Sequence, residues 1–150
     1  MKHLLSAATL AILCATPFAA HAQFAKAEDA VKYRKSSLSV LGTHFGRVGT
    51  IVKGERPYDK AAVEADVAIV EMMSKLPWNA FPPGSDTGDT RAQPEIWKEQ
   101  AKFKERAEKM QAEVAKLSVA AKSGDLGAIK TAFGAAGQSC KACPDDFRKK

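Results

Sequence analysis

The chain has 150 residues and a formal charge of +6, from 23 Lys and Arg against 17 Asp and Glu. That length holds one domain. The charges are interleaved rather than gathered into a basic face with aromatics, which speaks against nucleic-acid binding, although a mildly basic surface is suited to steering an acidic redox partner.

Residues 1–22 read as a secretory signal peptide: Met1-Lys2-His3 is a basic start, Leu4 to Ala15 is apolar but too short to span a membrane, and Ala20-His21-Ala22 is a small-x-small cleavage signal. Leu13, ahead of Cys14, is too large for lipoprotein processing, so no lipid anchor is expected. The mature, periplasmic domain is then 23–150, in which Cys140 and Cys143 are the cysteines and His44 the one histidine.

Val31, Leu38, Phe45 and Val52 recur every seven residues, with Leu41 and Val48 in the alternate seam. This spacing predicts an amphipathic helix from about Glu28 to Lys53, ended by Gly54 and Pro57. Asp59 caps a second helix that carries Val63, Val67, Val70 and Met73 as far as Leu76, where Pro77 stops it. Phe81-Pro82-Pro83-Gly84 and Gly88 make the stretch from Pro77 to Gln93 the one long loop. Pro94 opens a third helix with Ile96, Phe103, Ala107, Met110, Val114, Leu117 and Ala121 on its seam, closed by Gly124. Asp125 caps a fourth, in which Leu126, Ile129, Phe133, Ala136, Cys140, Cys143 and Phe147 are spaced by threes and fours. No segment alternates as a strand does. The expected fold is all-α, an antiparallel up-down-up-down four-helix bundle.

Two places on these seams carry chemistry. Cys140-Lys141-Ala142-Cys143-Pro144 matches a covalent haem-attachment site in four of its five positions: two thiols add to the haem vinyl groups, and the histidine that would ligate iron is replaced by Pro144. Arg34 falls on the inward stripe between Val31 and Leu38, and the bundle topology puts it level with the cysteines. A buried guanidinium needs an anion, which is either the propionate edge of a haem or a carboxylate such as Asp89 at the bundle mouth. Pro144 deprives the Cys140 carbonyl of its helical donor, predicting a kink or stop near Cys143 and a frayed tail from Asp145 to Lys150.

Other iron ligands have weaker claims. His44 lies roughly 15 Å along the helix from Arg34 and one position off the seam, which suits a surface or subunit contact. Met72 and Met73 have thioethers that can ligate haem iron, but core packing is their plainer role. No spacing singles out Lys141 or Asp145. Without haem, the two thiols can form an easily reduced disulfide or stand as a vestige one codon change from a cytochrome. Zinc would lack two ligands, and a thioredoxin-like motif belongs in a strand-containing fold. With no Ser-His-Asp set, Gly-rich phosphate loop or paired carboxylates, an enzyme is not expected.

Taken together, Gln23-Phe24-Ala25-Lys26, the run from Glu28 to Arg34, Leu76-Pro77-Trp78, Pro94-Glu95-Ile96-Trp97 and Ser139-Cys140-Lys141-Ala142-Cys143 resemble the cytochrome c′ family along the whole mature chain. The resemblance implies covalent haem c and a role in one-electron transfer or in binding small diatomic gases such as nitric oxide, with an unidentified redox partner protein. It makes Cys140 and Cys143 the thioether residues and Leu38 an apolar blocker of the distal iron face. Arg34, Lys35 and Asp89 become haem-edge residues, and Arg148 flanks the proximal ligand position. It also implies a homodimer through the first helix, where Gly42, Gly46 and Gly49 form a strip open to a partner helix.

Overall fold

A computed structural model describes residues 23–149, with the side chains of residues 143–146 outside that description. The expectations for the signal peptide, for Lys150 and for the side chains of Cys143, Pro144 and Asp145 therefore lie outside the described residues.

Helix α1 spans Ala27–Val52, with Glu28 and Asp29 in its first turn, where carboxylates complement the helix dipole. Helix α2 spans Lys60–Met73, and the Asp59 carboxylate accepts from the Ala62 N–H at 3.2 Å. It ends at Met73 rather than Leu76. Ser74 caps it, and Pro77 opens a 3-10 turn, Pro77–Ala80, instead of merely stopping a helix. The Trp78 indole N–H donates to the Ser74 carbonyl at 2.6 Å, which holds that turn against the end of α2.

The expected third helix is two helices. Helix α3, Glu95–Lys98, is separated from α4, Gln100–Ser123, by Glu99 at φ −113°, ψ 47°. The break follows from competing anchors. Ile96 is buried with Ala92 and Phe147, and the Trp97 indole donates to the Phe81 carbonyl at 3.0 Å, so α3 belongs to the loop while α4 follows the bundle. Gly124 closes α4 in the left-handed region at φ 76°, open to glycine without strain. Helix α5 spans Leu126–Phe147, its first turn capped by Asp125 Oδ1 accepting from the N–H groups of Gly127 at 2.7 Å and Ala128 at 3.3 Å.

The expected stop at Cys143 and the frayed tail are not found. Helix α5 continues through position 144 to Phe147, which is only 2% exposed. The Phe147 carbonyl accepts from Gln93 N at 3.0 Å, and Lys149 N donates to Arg91 O at 2.8 Å across a bridge pairing Ala92 with Arg148. These tertiary contacts offset a proline defect of about 3 kcal/mol. No strand occurs among the described residues beyond that isolated bridge.

Helices α1, α2, α4 and α5 form the bundle, α1 packing on α2 and α5, and α4 on α2 and α5. The core is aliphatic, built around Val48, Val63, Val67, Val70, Val114, Leu117 and Ile129. Phe45 of α1 stacks on Phe133 of α5 with centroids 4.2 Å apart. The glycine strip of α1 is divided accordingly. Gly42 and Gly46 have open space around them, but a Cβ at Gly49 would lie 3.1 Å from the Phe133 ring, so Gly49 serves packing within the bundle.

Candidate cofactor cavity

A cavity of about 550 Å³ opens where the first half of α1 meets the end of α5, with the long loop as a third wall. That volume is in the range of small-molecule and cofactor sites. Its interior is apolar and centred on Phe103, whose ring makes edge contacts with Trp78, Phe81 and Phe147 at centroid separations of 5.7, 4.9 and 5.3 Å. Such T-shaped pairs fix ring orientations as well as burying area. Lys35, Asp89, Arg91 and Arg148 also line the cavity, so basic side chains meet an apolar interior. The arrangement suits a flat apolar group with acidic substituents along one edge.

Arg34 builds the loop wall. Only 2% exposed, its guanidinium donates from Nη1 to the Ala80 carbonyl at 2.9 Å and the Ser85 hydroxyl at 2.7 Å, and from Nη2 to the Ser85 carbonyl at 2.5 Å and the Thr90 hydroxyl at 2.8 Å. The Phe81 ring lies 4.4 Å from its central carbon. Four uncharged oxygens of the loop, which crosses the first half of α1, thus hold the guanidinium where the Asp89 carboxylate was one expected partner. Burial lowers the Arg34 pKa, and the charge of Asp86 partly opposes the shift. Asp89, the carboxylate expected for Arg34, is paired instead with the ammonium of its neighbour Lys35 at the exposed rim.

Cys140 reaches the cavity from α5 and is partly buried against the core. Burial pushes its thiol pKa up, opposed by a hydrogen bond with Ser139. The thiol is therefore poised neutral rather than as a thiolate nucleophile. Leu38 is 42% exposed and lines the same cavity, as does Arg148. The structure thus brings together Arg34, Lys35, Leu38, Asp89, Cys140 and Arg148, which the sequence singled out.

The alternative ligands lie elsewhere. His44 is partly buried, with Nδ1 2.6 Å from Asp66 Oδ1 of α2, and Arg47 is 3.6 Å from the same oxygen. Met72 is 61% exposed, Met73 packs on the core, and neither lines the cavity. Lys141 is exposed. Sequence reasoning missed Trp78, Phe81, Phe103, Met110 and Phe147 as cavity residues. The clustering of aromatics near the Pro-rich loop was the available signal.

Comparison with known proteins agrees with this geometry. The sequence model of the family described as Cytochrome C′ matches residues 29–148. The chain is 52% identical over 128 residues to cytochrome c′ of Alcaligenes xylosoxydans xylosoxydans, covering 85% of this chain and 99% of that one. It is 43% identical over 129 residues to cytochrome c′ of Rubrivivax gelatinosus, covering 85% and 100% respectively. The crystal structure of the Rubrivivax protein superposes with a TM-score of 0.82, covering 85% of this chain and all of that one at 43% identity. A nitric oxide complex of a mutant cytochrome c prime from Alcaligenes xylosoxidans superposes with a TM-score of 0.81 at 49% identity, covering 85% and 99%. With the bundle, the cavity and both comparisons in accord from α1 to the end of α5, the chain belongs to the cytochrome c′ family.

Proposed function

We propose that this chain is an exported haem protein that binds a small diatomic gas or passes single electrons, with the haem seated in the cavity beside Cys140. The carrying observation is the meeting of a cysteine thiol, an aromatic interior and basic side chains in one space of about 550 Å³. The donor set fits a haem along one edge and at its attachment point, and departs from it at position 144. A haem bound there would supply an iron that takes up one electron or a gas molecule.

The protein residues have separable tasks in this reading. Cys140 and Cys143 hold the group through thioether bonds. Arg34 fixes the loop wall, while Lys35 and Arg148 place positive charge where acidic substituents would emerge, with Asp89 restraining Lys35. Leu38 narrows access so that diatomics pass and larger molecules do not. Residues 1–22 direct export and are removed before Gln23, and two copies associate through α1. No helix among the described residues is long and apolar enough to cross a membrane.

Expression with an intact export and haem-attachment system tests the reading by mass and colour. The expected product begins at Gln23, carries the mass of one haem and is red, and Cys140→Ala with Cys143→Ala loses both mass and colour. A colourless wild type with two titratable or disulfide-linked thiols, beside a red Pro144→His variant, would establish a bundle that has lost its cofactor.

A further inference from the structure

The helix that carries the attachment cysteines continues past position 144. Because α5 is continuous to Phe147, residue 144 stands one turn after Cys140 on the same helical stripe. Cys140, Phe147 and Arg148 all line the cavity. The last turn is held in that register by the Ala92–Arg148 bridge and by the burial of Phe147. The backbone position that would carry a ligating histidine, one turn after the cavity-lining Cys140, is therefore kept within α5. What stands there is proline, whose side chain is carbon only.

No imidazole among the described residues replaces it. His44 is engaged by Asp66 on α2. Among the other described residues at the cavity, the Lys35 amine is held by Asp89, and the Met110 thioether belongs to the buried seam of α4. The interior around Phe103 and Phe147 is apolar, which disfavours a charged amine.

We propose that the cavity has a vacant proximal coordination position and takes a small neutral nitrogen donor of the imidazole class from solution, at the site that position 144 leaves without a ligand. This inference rests on the haem reading given above. It makes the chain a two-component receptor, in which the ligand that relatives of this fold would carry in the chain is instead diffusible.

The test is a titration of the haem-loaded mature protein with imidazole, read in its absorption spectrum. The expected result is a saturable change with one imidazole per haem. Pro144→His should show, without additive, the spectrum of the imidazole-saturated wild type, and should no longer respond. Met110→Leu, a change in the cavity lining, should keep a saturable response of one imidazole per haem. A haem-bearing wild type that ignores imidazole overturns the inference alone. So does a Pro144→His variant that responds as the wild type does, since imidazole is then binding elsewhere, or a Met110→Leu variant that takes up two imidazoles per haem, since Met110 then holds the iron. If Pro144→His does not fold, the wild-type and Met110→Leu titrations decide. A wild type with the mass of the apoprotein overturns the haem reading itself and this inference with it, which the mass spectrum distinguishes from the other failures.

Discussion

Arg34 joins three stretches of the loop, at Ala80, Ser85 and Thr90, to a single point on α1. Ala80 and Ser85 are fully buried, so their oxygens have no water to turn to if the guanidinium is removed. A hydrogen bond to a charged group contributes about 1.5–3 kcal/mol, and an orphaned buried acceptor costs about 1–3 kcal/mol. Lysine keeps the charge but offers one compact ammonium in place of a planar fork. Arg34→Lys is therefore expected to lower stability by about 2–4 kcal/mol, seen as a lower urea midpoint with an unchanged slope. Limited proteolysis should then cut first between Phe81 and Gln93. A charge-only role for Arg34 would leave both readouts near wild type.

The glycines of α1 divide between two tasks at the scale of the helix. Gly42 and Gly46 meet nothing that an added methyl would strike, so Gly42→Ala and Gly46→Ala should each stabilise the folded subunit by about 0.5–1 kcal/mol through helix propensity. At Gly49 the same gain opposes a Cβ 3.1 Å from the Phe133 ring, itself stacked on Phe45. Overpacking costs about 1–3 kcal/mol and outweighs the propensity gain, so Gly49→Ala should lower the melting temperature while the other two raise it. Methyls at Gly42 and Gly46 should also weaken a dimer formed through α1, read as faster dissociation on dilution in sedimentation. The other departures from expectation are at element ends. The break at Glu99 and the passage of α5 beyond position 144 were decided by distant partners, Phe81 and Ala92, whereas α2 ends where Trp78, four residues on, bonds back to Ser74. No local pattern announces such partners.

Across the whole molecule, what was legible depended on contrast. Four bundle helices could be read because their apolar seams are regular, and Arg34 and Cys140 could be read because they interrupt those seams. Phe103 and Met110 could not, since an aromatic or a methionine on a helical stripe looks the same whether it fills a core or lines a cavity. The pairing of Arg34 with Asp89 failed for a related reason: backbone carbonyls of a loop leave no mark in a residue pattern. The bonds of Arg34 to that loop also bear on when the site exists. They join residues 46 to 56 positions apart, whereas bonds within the helices are local. Local structure forms early, and closing such separations costs chain entropy before any contact repays it. During refolding of the haem-free chain, the helical circular dichroism of a Trp78→Phe variant should therefore recover ahead of the fluorescence of Trp97, whose indole is bonded to the loop at Phe81. Simultaneous recovery would contradict this order. On this order the third wall arrives late, and until it docks Cys140 stands beside an open trough that the docked loop turns into an enclosed cavity.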